Sequence, residues 1–264
     1  MTIVHILNTR IKKIYLSRNA IWEMSLKQLK SKYATSGLGI LLAFINPLLI
    51  MLAITFVFSV IFKTEIKNFS LFVLSGLFPW MFFSSALSEA TESIINKQSI
   101  LRQFNIPRET LPLSSILSNF LNFLIGWIAI YPLFVIFNPK IILLLPLFIG
   151  ILILSLIFIS GLGLLLSVLN VFFRDIGQLL GVFLMFWFWI TPVFYSAEMI
   201  PQKFRWIADF NPMTPFIVYY QDVIYKAHVP GFSIFMSIFF WTFLTLILGF
   251  WFFARLESKL LKWI

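Results

Sequence analysis

Long apolar runs, broken by short polar stretches, set the rhythm of this chain. Six runs, residues 37–62, 70–90, 111–137, 141–169, 176–195 and 232–254, are long enough to cross a lipid layer as helices, since a hydrocarbon core of about 30 Å takes roughly 20 apolar residues. Backbone N–H and C=O groups find no water partners in lipid, so helices are the expected spanning form. Pro47, Pro79, Pro132, Pro146 and Pro192 fall inside the runs and predict kinks.

Two segments fit neither a span nor a simple loop. Residues 10–33 place Ile11, Tyr15, Trp22, Leu26, Leu29 and Tyr33 at helical spacing, with Lys12, Lys13, Lys27 and Lys30 largely off that stripe. This predicts an amphipathic helix lying in the membrane interface. Residues 196–231 predict two short helices, 201–208 and 215–225, around the turn DFNPMTP. Each is too short to cross, so a re-entrant or interfacial pair is expected.

Composition agrees with lipid as the solvent. The chain is 60% hydrophobic with a mean hydropathy of +0.96. Only 11% of its residues are charged, against roughly 25% in soluble domains. The net charge of +10 does not point to nucleic acid, because the Lys and Arg sit at the ends of apolar runs, as membrane anchors do. With six spans, fourteen of the 20 Lys and Arg fall on the side of the N-terminus, which predicts that both termini are cytoplasmic. The first 30 residues carry no pattern of a cleaved signal peptide. There is no cysteine, hence no disulfide framework or thiolate metal site. One membrane domain is expected over 37–254, preceded by a cytoplasmic segment, 1–36, and followed by a short tail, 255–264.

Little in the chain looks catalytic. No Walker-type phosphate loop is present, and Gly161 and Gly163 read as small residues within an apolar helix. His5 and His228 fall on opposite sides of the membrane, and no ligand cluster has metal-site spacing. Glu89 and Glu92 share a helix face and read as the polar end of the second run, near Lys97 and Arg102; a paired-carboxylate site is the sharper alternative. Asp175 is placed to cap the fifth run and Arg174 to anchor it at the headgroups, where it could also guide an anionic lipid. The runs are nearly free of charge, which argues against ion-coupled transport and for energy supplied from outside the chain. Phe, Trp and Tyr make up 19% of the chain. Aromatic faces in GVFLMFWFWITPVFYS would suit a sliding glycan, though most such residues serve packing or face lipid.

These stretches carry a family resemblance. SILRQFNIPRETLPLS, LNVFFRDIGQLL, ITPVFYSAEMIP and FNPMTPFIVYYQDVIY, in that order, with SGLFPWMFF in the second run, resemble the membrane subunits of type-2 ABC exporters over residues 10–260. The likeness is greatest to permeases for O-antigen, capsule or teichoic-acid polysaccharides, the O-antigen permeases above all. The resemblance implies an all-α, six-span inner-membrane protein that pairs with a second copy of itself and with two ATPase subunits, on which ATP and Mg reside. It implies a lipid-linked polysaccharide as cargo. It implies a coupling helix over 96–105, with Asn96, Lys97, Ile100, Leu101, Arg102, Gln103 and Phe104 meeting the ATPase. Here SILRQF offers Ile100, Leu101 and Phe104 as an apolar ridge. It also implies a pore lined by the first and fifth spans, with Phe44, Met51, Phe183, Phe186, Trp187 and Thr191 as lining residues. The alternatives are an exporter of a drug or small lipid, and a membrane transferase, for which only Glu89, Glu92 and Asp175 could serve.

Overall fold

A computed structural model describes residues 12–34, 39–61, 66–104 and 106–263; His5 and Ile11 lie outside them. Among the described residues all regular structure is helical. Four stretches are long and apolar enough to cross a membrane: Phe69–Asn96, Thr110–Phe137, Pro139–Phe172 and Phe232–Glu257.

The centre is α3, Phe69–Asn96. At 28 residues it is about 42 Å long. It touches α5 (Thr110–Phe137), α6 (Leu145–Phe172) and the shorter α2 (Leu42–Thr55) and α7 (Asp175–Ile190). In lipid there is no hydrophobic gain from joining two apolar helices, so shape and small polar bonds must hold them. Around α3 the shape is aromatic: Phe82 stacks on Phe123, and Phe83 and Phe216 both lie against Phe158. The Tyr220 and Ser155 hydroxyls, 3.1 Å apart, form one buried polar bond in that layer.

The last helix, α10 (Phe232–Trp263), runs along α6 so closely that their backbones touch. A Cβ at Gly249 would collide with the Gly161 carbonyl oxygen, and one at Gly161 would lie 2.6 Å from the Leu246 nitrogen. Gly163 likewise makes room for Ile116 and Ala90. Only residues without side chains fit such a crossing, which gives the small residues of SGLG a packing role.

Several boundaries depart from those expected. The first run is α2 followed by a π-helical turn, Phe56–Ile61, and it is shorter than the long helices. The fifth run, expected to span 176–195, ends as helix at Ile190. Thr191 is extended and Pro192 follows, so this proline stops the helix rather than kinking it. Pro146 sits in the first turn of α6, where a missing N–H costs nothing, and also makes no kink. Pro79 and Pro132 do lie inside α3 and α5.

The polar hairpin is also unequal. A 3-10 turn, Gln202–Phe204, leads into α8, Arg205–Phe210, which is mostly exposed. The second piece, α9 (Met213–Tyr220) with its π-helical extension Gln221–Tyr225, is almost wholly buried against α3, α6 and α10.

Near the start of the chain, residues 12–16 are helical and a turn at Ser17 leads into α1, Arg18–Tyr33. This helix lies against α5. Of the predicted apolar stripe, Tyr33 reaches that helix, but most of the inward face is made of other residues. Ile21, Ser25, Gln28 and Lys32 turn inward, while Tyr15 and Trp22 stay exposed. The outward side mixes Trp22 with Arg18, Glu23, Lys27 and Lys30.

Candidate functional site

Two regions gather the residues singled out in the sequence. The first is the end of the bundle where α1, the close of α3 and the start of α5 meet. Gln28 donates to the Ser114 hydroxyl at 2.9 Å and accepts from Ser115 at 3.1 Å. Lys32 reaches both Asn119, at 2.8 Å, and Glu89, at 2.7 Å. Asn119 in turn donates to the second Glu89 oxygen at 2.8 Å, and Tyr33 donates to Asn122. Glu89 is thus the partner of a lysine from α1, not of Glu92. Glu92 accepts from Asn96 at 3.3 Å on the exposed side. The two carboxylates do not form a paired acid–base site.

Lys97 closes α3 and donates to Ser115 at 3.0 Å. Burial holds its ammonium well below the usual lysine range, at about 8; Glu89 works against that shift and Lys32 with it. Gln28, Lys32, Glu89, Glu92, Lys97 and Ser115 line a cleft of about 290 Å³.

The short helix α4, Gln98–Gln103, follows directly. Its predicted ridge is divided. Phe104 projects, 59% exposed, whereas Leu101 packs back on the cluster of Ile94, Leu164 and Val168. Ile100 is half-buried; Asn96, Arg102 and Gln103 are on the surface. Arg108, in the Pro-Arg-Glu stretch after it, donates to the backbone carbonyl of Glu257 on α10, with the carboxylate 4.0 Å away. That pair ties the loop after α4 to the far end of the chain.

The second region is α7 and the turn beyond it. Only Leu180 and Leu184 of this helix are buried. Phe183 and Phe186 are 55% and 65% exposed. Trp187 is half-buried, edge-on to Phe83 and Trp80, and its indole N–H donates to Asn211 at 2.7 Å. Asn211 also accepts from the Met213 amide and donates to Thr191, each at 2.9 Å. Thr191 is itself fully buried and returns a bond to the Trp187 carbonyl at 2.7 Å. Gln221 completes the knot, donating to the Pro192 carbonyl at 2.8 Å. Met51 is partly buried against the core, and the side chain of Phe44 lies outside the described residues.

At the other end of α7, Arg174 takes the N-cap position and Asp175 the first turn, both exposed. Asp175 favours the helix dipole but makes no capping bond there. The cap comes from α6 instead: Asn170 accepts from the Gly177 amide at 3.0 Å and donates to the Thr91 carbonyl at 3.1 Å. Asn170, Asn211, Gln221 and the Lys32–Ser115 group went unmarked in the sequence reading. Each is a polar residue at the edge of an apolar run, a signal too common to single out its partner.

An apolar bundle with four stretches long and apolar enough to cross, a polar, basic end and a partly buried hairpin defines a multi-pass membrane protein. Residues 19–225 match the ABC-2 type transporter family, and the chain belongs to it. Among its relatives is the O-antigen export system permease protein RfbA of Klebsiella pneumoniae, 34% identical over 206 residues, which are 75% of this chain and 76% of that protein. A second RfbA from the same organism is 32% identical over the same shares. RfbA of Myxococcus xanthus is 28% identical over 222 residues, 83% of this chain and 85% of the relative.

Proposed function

We propose that this chain is the channel-forming subunit of an ATP-driven exporter. Its cargo would be a polyprenyl-diphosphate-linked polysaccharide, O-antigen in kind, carried from the cytoplasm across the inner membrane. Kinship with O-antigen permeases along 75% of the chain is the observation that carries this reading. Two copies form the pore and two separate ATPases, holding ATP and Mg, drive it. The chain crosses six times, with α2 and α7 among the spans, the hairpin re-entrant on the outer side, and both termini in the cytoplasm.

In this arrangement α4 is the element that meets the ATPase. Its exposed Phe104, beside the surface side chains of Arg102 and Gln103, supports that role. Movement imposed on α4 passes to α3 through Lys97, and to α10 through Arg108 and Glu257. The pore side is assigned to α7 with Phe183, Phe186 and Trp187, and to α2 with Phe44 and Met51. The outward bareness of α7 in the single chain is the feature that supports it.

Phe104→Ser tests the coupling. Because the ring is exposed, the change should leave folding intact yet abolish stimulation of the co-purified ATPase; unchanged stimulation removes α4 from the interface. Leu101 is left alone, since its loss would open the core. Topology is tested by single cysteines in this cysteine-free chain. Cysteine at Ser99 should react with an impermeant reagent only from the inner face, and cysteine at Lys203 only from the outer face. Labelling of both from one side ends the six-span scheme. Surface polysaccharide on a gel ladder separates the readings of cargo. Loss of long chains on deletion supports a polysaccharide, and normal ladders favour a drug or small lipid.

A further inference from the structure

We propose that the cleft at the junction of α1, α3 and α5 is a binding site for the phosphate groups of a lipid-borne diphosphate. The proposal rests on the exporter reading and adds to it a place where the cargo's carrier is held.

The charges in the cleft are unevenly satisfied. Lys32 and Glu89 neutralise one another at 2.7 Å, and Asn119 takes the remaining Glu89 oxygen. Glu92 sits at the exposed rim with Asn96. Lys97 differs: its contact is a neutral hydroxyl, Ser115, and among the described residues no carboxylate comes within ion-pair distance of it. A partly desolvated ammonium, on which the Glu89 carboxylate acts only from beyond ion-pair distance, is costly to keep and gains from an anion brought into contact with it. Its depressed proton affinity, about 8, is the mark of that cost. The Gln28 amide, which gives one N–H to Ser114, has a second left to donate; the Ser115 proton is already given to Gln28.

Size and position choose the ligand. A cleft of about 290 Å³ holds roughly ten waters at ~30 Å³ each, room for a diphosphate but not for a sugar chain. It opens where α3 leaves its apolar stretch, beside an interface helix whose outer aromatic residues, Tyr15 and Trp22, are exposed. A headgroup there keeps its hydrocarbon tail in lipid. Lysine serves phosphate as a compact point charge. Lys97 is also the single residue between α3 and α4, so an anion that draws it into the cleft acts on the joint that carries the coupling helix.

The test uses the permease assembled with its ATPase in nanodiscs. Binding is titrated with polyprenyl diphosphate, with polyprenol, and with inorganic pyrophosphate. Lys97→Gln should weaken polyprenyl diphosphate about tenfold or more, the loss of one charge-assisted bond. Lys97→Arg should restore most of it. Ser115→Asp, which gives Lys97 an internal counter-ion, should abolish binding and covers the case in which Lys97→Gln does not assemble. Polyprenol should bind no better to the parent than to the variants. Equal binding of polyprenyl diphosphate by the parent, Lys97→Gln and Ser115→Asp would overturn the site and leave the exporter reading standing. Pyrophosphate binding as tightly as the lipid would assign the cleft to a free anion and overturn the lipid source. No binding to the parent would overturn the site too, and the polysaccharide ladder then judges the exporter reading separately.

Discussion

Helices α6 and α7 follow one another with two residues between them, and both are made of Leu, Phe and Ile. They are held in opposite ways. Helix α6 presses its backbone onto α10 through Gly161 and Gly249, and its ends are fixed by neighbours. Helix α7 gives the chain two buried leucines, a capping asparagine from α6 and an amide knot at its far end. Trp187 and Phe188 pack partway against Trp80, and most of the remaining surface is bare. Apolar composition therefore does not distinguish a scaffold helix from one that is free to meet something else. The difference lies in whether small residues bring backbones together or large ones keep them apart.

The sharpest way to break the contrast is at the crossing. Gly249→Leu should prevent α6 and α10 from meeting, at a cost beyond the ~1–3 kcal/mol of ordinary overpacking. The expected result is little monodisperse protein in detergent. A normal melting temperature would mean that the two backbones are not in contact. The knot on α7 comes next. Asn211→Ala removes three hydrogen bonds at one residue and leaves the Trp187 N–H and Thr191 without their partner. It should lower stability by about 1–3 kcal/mol, seen as a reduced melting temperature, while α6 and α10 remain paired. The smallest effect is expected on the bare face. Phe183→Ala and Phe186→Ala should change stability by no more than about 0.5 kcal/mol, as at exposed sites, yet reduce export of long polysaccharide. A large loss of stability would place these rings in a packed interface instead of a pathway.

How far the sequence could be read follows the same division. The third, fourth and sixth runs, 111–137, 141–169 and 232–254, reappear within a few residues as the cores of α5, α6 and α10, because a long apolar period has one reading in lipid. The second run continues six residues past its predicted end, since the buried Thr91 and Ser93 hydroxyls bond back to the carbonyls of Leu87 and Ala90 while Glu92 and Asn96 lie on the exposed side. The fifth run ends earlier than expected because Val193 and Phe194 prolong the apolar character past the helix, while backbone geometry at Pro192 decides the end. The basic loop at 96–108 was legible as a special place, but not the division of labour inside it. That Leu101 faces inward and Arg108 holds Glu257 depends on partners 149 residues away, at Glu257, and on other helices. The segment 18–33 was legible as a helix. Its inner, polar face depends on Glu89, Ser114 and Asn119, which no local period reveals.

The shortness of α7 has a consequence for the membrane itself. Sixteen residues make a rod of about 24 Å, some 6 Å less than the usual hydrocarbon thickness of about 30 Å. In the six-span arrangement proposed, with α7 on the pore side, water and headgroups must dip by that much to reach the hairpin at its end. Helices α3, α5 and α6, each 28 residues, impose no such dip. The pore wall is then short along α7, beside its exposed aromatic rings, and a polar chain passing there meets a shorter oily stretch than it would along those longer helices.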